Sequence, residues 1–173
     1  MKKILSILGA ISLVGTTTTS LVACNKPQEY TTKELEHLKK ENQIDTTNET
    51  IKNNLEWIAP QEKPFNKVDN KWYYVVWKSK NWNITKFKNN EEIQNKDSFK
   101  VLEQKDEYKL ELHRYSLKYE VDLNVYEPSN MTNWPWRIDH GNYFKFVYRW
   151  NGEEQNLPNL DIDKDGTVKV SGE

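Results

Sequence analysis

The sequence predicts an α+β fold: one or two N-terminal helices followed by a mostly antiparallel sheet of about six to eight strands. Three observations point there. Two helix-start patterns lie between residues 31 and 60. After Phe65 the apolar period changes from helical to two. Short turn signals then separate the alternating segments, which favours antiparallel neighbours.

The elements follow in chain order. Thr31-Thr32-Lys33-Glu34 has the form of a capping box, Thr31 as N-cap and Glu34 three residues on. The helix it starts runs to about Asn42 with only Leu35 and Leu38 apolar, so it is expected to be solvated. Thr46-Thr47-Asn48-Glu49 repeats the cap pattern, and Ile51, Leu55 and Ile58 follow at helical spacing until Pro60 stops them. Lys71–Lys78 (KWYYVVWK) is almost continuously apolar, as in a strand buried on both faces, and Asn81–Lys88 is its hairpin partner. Phe99–Glu103, Tyr108–His113 and Ser116–Tyr126 are further strands; Pro128 to Pro135 breaks the pattern. In Asn142–Trp150, Phe144, Phe146, Tyr148 and Trp150 share one face. Asn151-Gly152 comes next, a hairpin signal because both central residues of a type I′ turn need positive φ, so Glu153–Leu157 is expected to return. Leu160–Asp163 and Thr167–Val170 form a last hairpin across Asp165-Gly166.

The first 24 residues have a different logic. Lys2 and Lys3 precede a short apolar run, Ile4 to Val14, then a small polar stretch and Leu21-Val22-Ala23-Cys24. The run is too short to span a membrane, which takes about 20 apolar residues, but fits a cleaved secretory signal. Leu21-Val22-Ala23-Cys24 resembles the lipobox of bacterial lipoproteins. With Met1 to Ala10 and Asn25-Lys26, the leader is similar to those of mollicute, Spiroplasma-type lipoproteins. The resemblance covers the leader alone. It implies diacylglyceryl transfer to the Cys24 sulfur, cleavage after Ala23, and a protein held on the outer face of the cell membrane. Two acyl chains at one residue suit stable attachment, because one chain binds only marginally. The chain then divides into a signal peptide (1–23), a lipidated Cys24 with a polar linker (24–30), and one globular domain (31–173).

Composition narrows the function classes. The net charge is −1, and removing a leader with two lysines and no acid takes it to −3. There is no basic excess to meet nucleic-acid phosphates, so the membrane, through the lipid, is the partner expected. Cys24 is the sole cysteine, which leaves no intramolecular disulfide. Mean hydropathy is low, −0.94. Seven Trp, nine Tyr and five Phe nevertheless argue for a folded core.

Chemistry-bearing motifs are few. Asp161-Ile162-Asp163-Lys164-Asp165-Gly166 matches positions 1, 3, 5 and 6 of an EF-hand loop, so Asp161, Asp163 and Asp165 are metal candidates, with calcium the cation. The twelfth position is Gly172 where a bidentate Glu belongs, and the flanking alternation favours a plain hairpin turn. His37, His113 and His140 have no metal-ligand spacing. No phosphate loop or nucleophile elbow occurs, so no catalytic residue is assigned. Asn133-Trp134-Pro135-Trp136-Arg137 places two indoles around a proline in an expected loop, where they can stack on sugars or cations or else cap the sheet. Trp134 and Trp136 are therefore the ligand-binding candidates. The function expected is a membrane-anchored, non-enzymatic binding or adhesion module. The alternatives are an envelope hydrolase using paired carboxylates and a purely structural lipoprotein.

Overall fold

Residues 27, 29–115 and 120–173 are described by the structure, a computed structural model; residues 1–23, Cys24 and Tyr119 lie outside them. Helix α1 (Thr32–Glu41) starts at the capping box: Glu34 N–H donates to Thr31 Oγ1 at 3.3 Å, and Thr31 N–H donates to Glu34 Oε2 at 2.8 Å. The helix buries no residue, as its sparse apolar pattern implies. It is tied down by Lys39, which bonds both Glu56 and Glu62, and by the Tyr148 hydroxyl on the Asn42 carbonyl.

Helix α2 (Glu49–Asn54) is capped by Asn48 and stops earlier than the spacing of Ile51, Leu55 and Ile58 predicts. Leu55–Trp57 instead forms strand β1 on the edge of a sheet, paired with residues 148–150. The apolar spacing could not separate the two outcomes, because Leu55 is buried in either. As a strand the segment pairs with the β8 edge, whose backbone groups a further helical turn would leave unpaired.

The first sheet has the order β1-β8-β2-β3, all antiparallel, with β2 at Trp72–Lys78, β3 at Trp82–Lys88 and β8 at Phe144–Trp150. β2 is buried on both faces, as its sequence predicts: Tyr73, Val75 and Trp77 enter one core, Tyr74 and Val76 another. The second sheet is a meander, β4 (Phe99–Lys105), β5 (Tyr108–Tyr115), β6 (Glu120–Glu127) and β7 (Thr132–Pro135). A hairpin of β9 (Leu160–Ile162) and β10 (Val168–Val170) is the third. The inner core lies between the first two sheets and joins Val75, Trp77 and Val147 to Leu110, Leu112, Leu123 and Val125. Phe65, Ile58 and Trp136 complete it. The other face of the first sheet packs Tyr74, Val76, Tyr148 and Trp150 against Ile51, Leu55 and Val168.

Three expectations are corrected. Among the described residues there are ten strands in three sheets, so the molecule is more β-rich than the α+β expectation of six to eight strands. Phe144 does not share a face with Phe146, Tyr148 and Trp150. Val76 opposes Phe146 while Trp77 opposes Phe144, and the extra residue, Lys145, turns Phe144 into the inner core. Asn151-Gly152 makes no hairpin. Both sides of β8 are occupied, by β1 and β2, so a return strand has no edge to join. Asn151 N–H bonds Asn54 O at 2.8 Å instead, and Glu154–Asn156 is a 3₁₀ turn. Gly152 is required for another reason: a Cβ there would stand 2.5 Å from Trp150 Cζ2.

Candidate functional site

Trp134 and Trp136 are two residues apart yet end in different surroundings. Trp134 lies in β7 opposite Val125, half-buried at one end of the sandwich. Trp136 opens a 3₁₀ turn and is 6% exposed, its ring 6.2 Å from Phe65. The segment is thus a strand and a turn rather than a loop. The trans-proline between the indoles keeps the backbone extended, so the chain leaves the sheet edge with the second ring inside.

The Trp134 ring stacks on Tyr143, centroids 4.0 Å apart at 22°, and Tyr108 packs beside it at 6.3 Å. With Lys78, Ser79 and Asn142 these rings line a solvent-facing recess of about 450 Å³. The six residues come from four places in the chain: the end of β2, the start of β5, β7, and the turn before β8. Asp139 fixes that turn, its carboxylate accepting from the N–H groups of Gly141, Tyr143 and Phe144 at 2.9–3.2 Å. Asp139-His140-Gly141 is therefore a turn held by the Asp139 carboxylate, and it places Tyr143. Burial, then the Glu127 carboxylate, push the Tyr108 and Tyr143 phenols up, which keeps both hydroxyls protonated. Flat rings ringed by amide, hydroxyl and ammonium groups are the materials of a small-ligand site.

A second polar cluster lies on the outer face of β5 and β6, away from the inner core. Glu111, Asp122 and Asn124 are 2%, 6% and 0% exposed. Asn124 Nδ2 donates to Asn133 Oδ1 at 2.8 Å and to Glu111 Oε2 at 3.4 Å. Asp122 Oδ2 accepts from the Arg137 backbone N–H at 3.0 Å, and the Arg137 guanidinium lies 4.4 Å over the Tyr115 ring. His113 stacks on Tyr115 at 4.4 Å. Burial pushes the Asp122 carboxyl up to about 7, against the pull of Arg137. Burial likewise raises Glu111 and lowers His113. Glu111 Oε1, Asn124 Oδ1, His113 Nδ1, Tyr115 OH and Arg137 Nη1 are buried without a hydrogen-bond partner. Asp122 and Asn124 alternate in the sequence with Val121, Leu123 and Val125 and so fall on the opposite, polar face of the strand, but alternation alone does not show that this face is buried.

The Asp-rich segment is the expected hairpin turn. Asp163 N–H donates to Thr167 O and Gly166 N–H to Asp163 O, both at 2.9 Å. Asp165 accepts from Thr167, and Asp163 pairs with Lys169 at 2.7 Å. Gly166 has φ +83° and lies under the Trp82 ring, so the position needs glycine. Among the described residues no three His, Cys, Asp or Glu are grouped to hold a metal ion, Asp161, Asp163 and Asp165 included. None of their helices is long and apolar enough to cross a membrane. Against protein-family models, curated proteins and solved structures alike, the chain finds no match.

Proposed function

We propose that this protein is a non-enzymatic binding module displayed on the outer face of the cell membrane by a lipid on Cys24. Its ligand is a sugar ring or a comparable flat, partly apolar group that stacks on Trp134. One observation carries the site: Trp134, Tyr108 and Tyr143, far apart in sequence, meet around a solvent-facing recess of about 450 Å³. Stacking supplies the contact area, and Lys78, Ser79 and Asn142 supply polar partners at the rim. Trp136 belongs to the core and takes no part in binding.

The test is a glycan array probed with wild type, Trp134→Ala and Trp136→Ala, each checked by thermal melting. Trp134→Ala is expected to lose array binding with a small change in melting temperature. Trp136→Ala is expected to lose about 3–5 kcal/mol of stability, as large buried aromatics do. Retained binding in Trp134→Ala would remove the recess from the function.

The envelope-hydrolase alternative is favoured by one observation, the raised carboxyls of Glu111 and Asp122 on a single sheet face. Asp122 lines a recess of only about 100 Å³, and Glu111 is not part of its wall. The two acids therefore do not flank a common cleft, and the binding reading is preferred.

A further inference from the structure

Contacts between the two large sheets mark two distinct ends of the sandwich: the β2–β3 and β4–β5 turns meet at one, and Asn89, Arg114 and Val121 line a shared recess at the other. One end carries the turns at 79–81, 106–107 and 128–131. There Ser79 Oγ bonds Asp106 Oδ2 at 3.1 Å, and the Trp134 recess opens beside them. The other end carries the 3₁₀ turns Pro60–Glu62 and Pro64–Asn66, the start of β6 and the Trp136–Ile138 turn. Val121 N–H donates to Asn66 Oδ1 at 2.9 Å, which locks those turns to β6.

The chain from the N-terminus is fastened to this second end. Tyr30 N–H donates to Gln61 Oε1 at 2.6 Å, and Gln61 Nε2 donates back to Tyr30 O at 3.0 Å. Pro27 and Glu29 line the same small recess as Gln61, Asp122 and Arg137. Cys24 is three residues before Pro27 and six before the Tyr30 clamp. A chain spans at most about 3.3–3.6 Å per residue, so Cys24 lies within about 11 Å of Pro27 and about 22 Å of the clamp.

From this placement we propose that the end carrying Gln61, Lys67 and Arg137 faces a lipid bilayer, and that the Trp134 recess stands about 20 Å farther out, opening away from it. The proposal rests on the anchor at Cys24 stated above, and it adds the direction in which the binding site is presented. The offset follows from β5: Tyr115 is at the anchored end and Tyr108 at the recess, seven residues apart, or about 23 Å at strand rise. The chemistry of the anchored end agrees. Lys63, Lys67, Glu29 and Glu120 line recesses there, with Lys63 paired to Glu120, a mixed-charge rim compatible with headgroups of either sign. Of the four large apolar side chains that stand exposed among the described residues, Val68 and Phe99 lie toward this end, Val101 midway, and Met131 in the turn at the recess end, so apolar exposure does not distinguish the ends and the N-terminal fastening carries the orientation. A ligand arriving from outside therefore reaches the aromatic rings without passing between protein and membrane.

The experiment uses the full, membrane-processed protein with one new thiol, Lys67→Cys at the anchored end or Ser129→Cys at the recess end. Both positions are exposed. Each thiol is labelled with a fluorophore, and the protein is reconstituted in phosphatidylcholine–phosphatidylglycerol vesicles carrying a nitroxide on a fraction of their headgroups. Circular dichroism checks that both variants are folded. The expected result is several-fold stronger quenching at position 67 than at 129. Equal quenching, or the reverse order, with protein that floats with the vesicles overturns the orientation and leaves the anchor standing. Protein that fails to float, or a wild type whose Cys24 accepts the label, overturns the anchor and the orientation together. Loss of quenching at 67 as protein concentration rises would show that a second copy covers this end instead.

Discussion

At the scale of single residues, Asp122 shows how position changes chemistry. In sequence it is one of several acids alternating with apolar residues. In the fold it is 6% exposed, and burial brings its carboxyl up to about 7 despite Arg137. In the unfolded chain it titrates near 3.9. The native state therefore holds the proton more tightly, and stability declines as pH rises from about 4 through about 7. Several units at about 1.4 kcal/mol each give a few kcal/mol over that window. Denaturant unfolding at pH 4 to 8 is expected to show this decline in wild type and a shallower one in Asp122→Asn, which cannot ionise. Identical slopes would assign the pH dependence elsewhere. Trp134 and Trp136 make the same point without charge: their types were legible as candidates, but which one faces solvent depended on where β7 leaves the sheet.

At the scale of elements, α1 is the weakest attachment. It buries nothing, so its position depends on polar ties. Glu56 is their hub: it bonds Lys39 of α1, Arg149 of β8 and Asn151. Burial by itself would raise the Glu56 carboxyl; bonds from Lys39, Asn151 and Arg149 reverse that and bring it to about 2. The contribution is present above about 4.5 and is lost as pH falls through about 2. Because the group is partly exposed, Glu56→Gln is expected to lose only about 1 kcal/mol. Its hallmark is local: amide exchange should quicken across Thr32–Glu41 while β2 and β8 keep their protection. Uniform acceleration would mean that α1 is docked by something other than this hub. The capping box of α1 and the β2–β3 hairpin were readable because both are local in sequence. The end of α2, the bulge at Lys145 and the missing return strand after Gly152 were not, because each depends on which strand lies alongside.

At the scale of the whole molecule, the first sheet is a wall shared by two cores. Val75 and Val76 are neighbours in β2, both fully buried, and point into different cores. Val75→Ala and Val76→Ala are each expected to destabilise by roughly 1–3 kcal/mol. Neither should uncouple the layers. Unfolding followed by tryptophan fluorescence and by far-ultraviolet circular dichroism should coincide in both variants. Separate transitions would show that the α2–β9–β10 layer melts independently of the sandwich.

Local pattern was enough for the strands of period two, the first helix cap, the Asp163–Thr167 turn and the two-sided burial of β2. Those features are set by neighbours within a few residues, through alternation, capping and turn geometry. The leader and Cys24 are also a local pattern, and the proposed lipid anchor rests on that pattern alone. The division into three sheets, the burial of Glu111 and Asp122, and the meeting of Tyr108, Trp134 and Tyr143 were decided only by tertiary structure. Each depends on which surfaces cover one another across long stretches of chain, and no spacing in sequence encodes that.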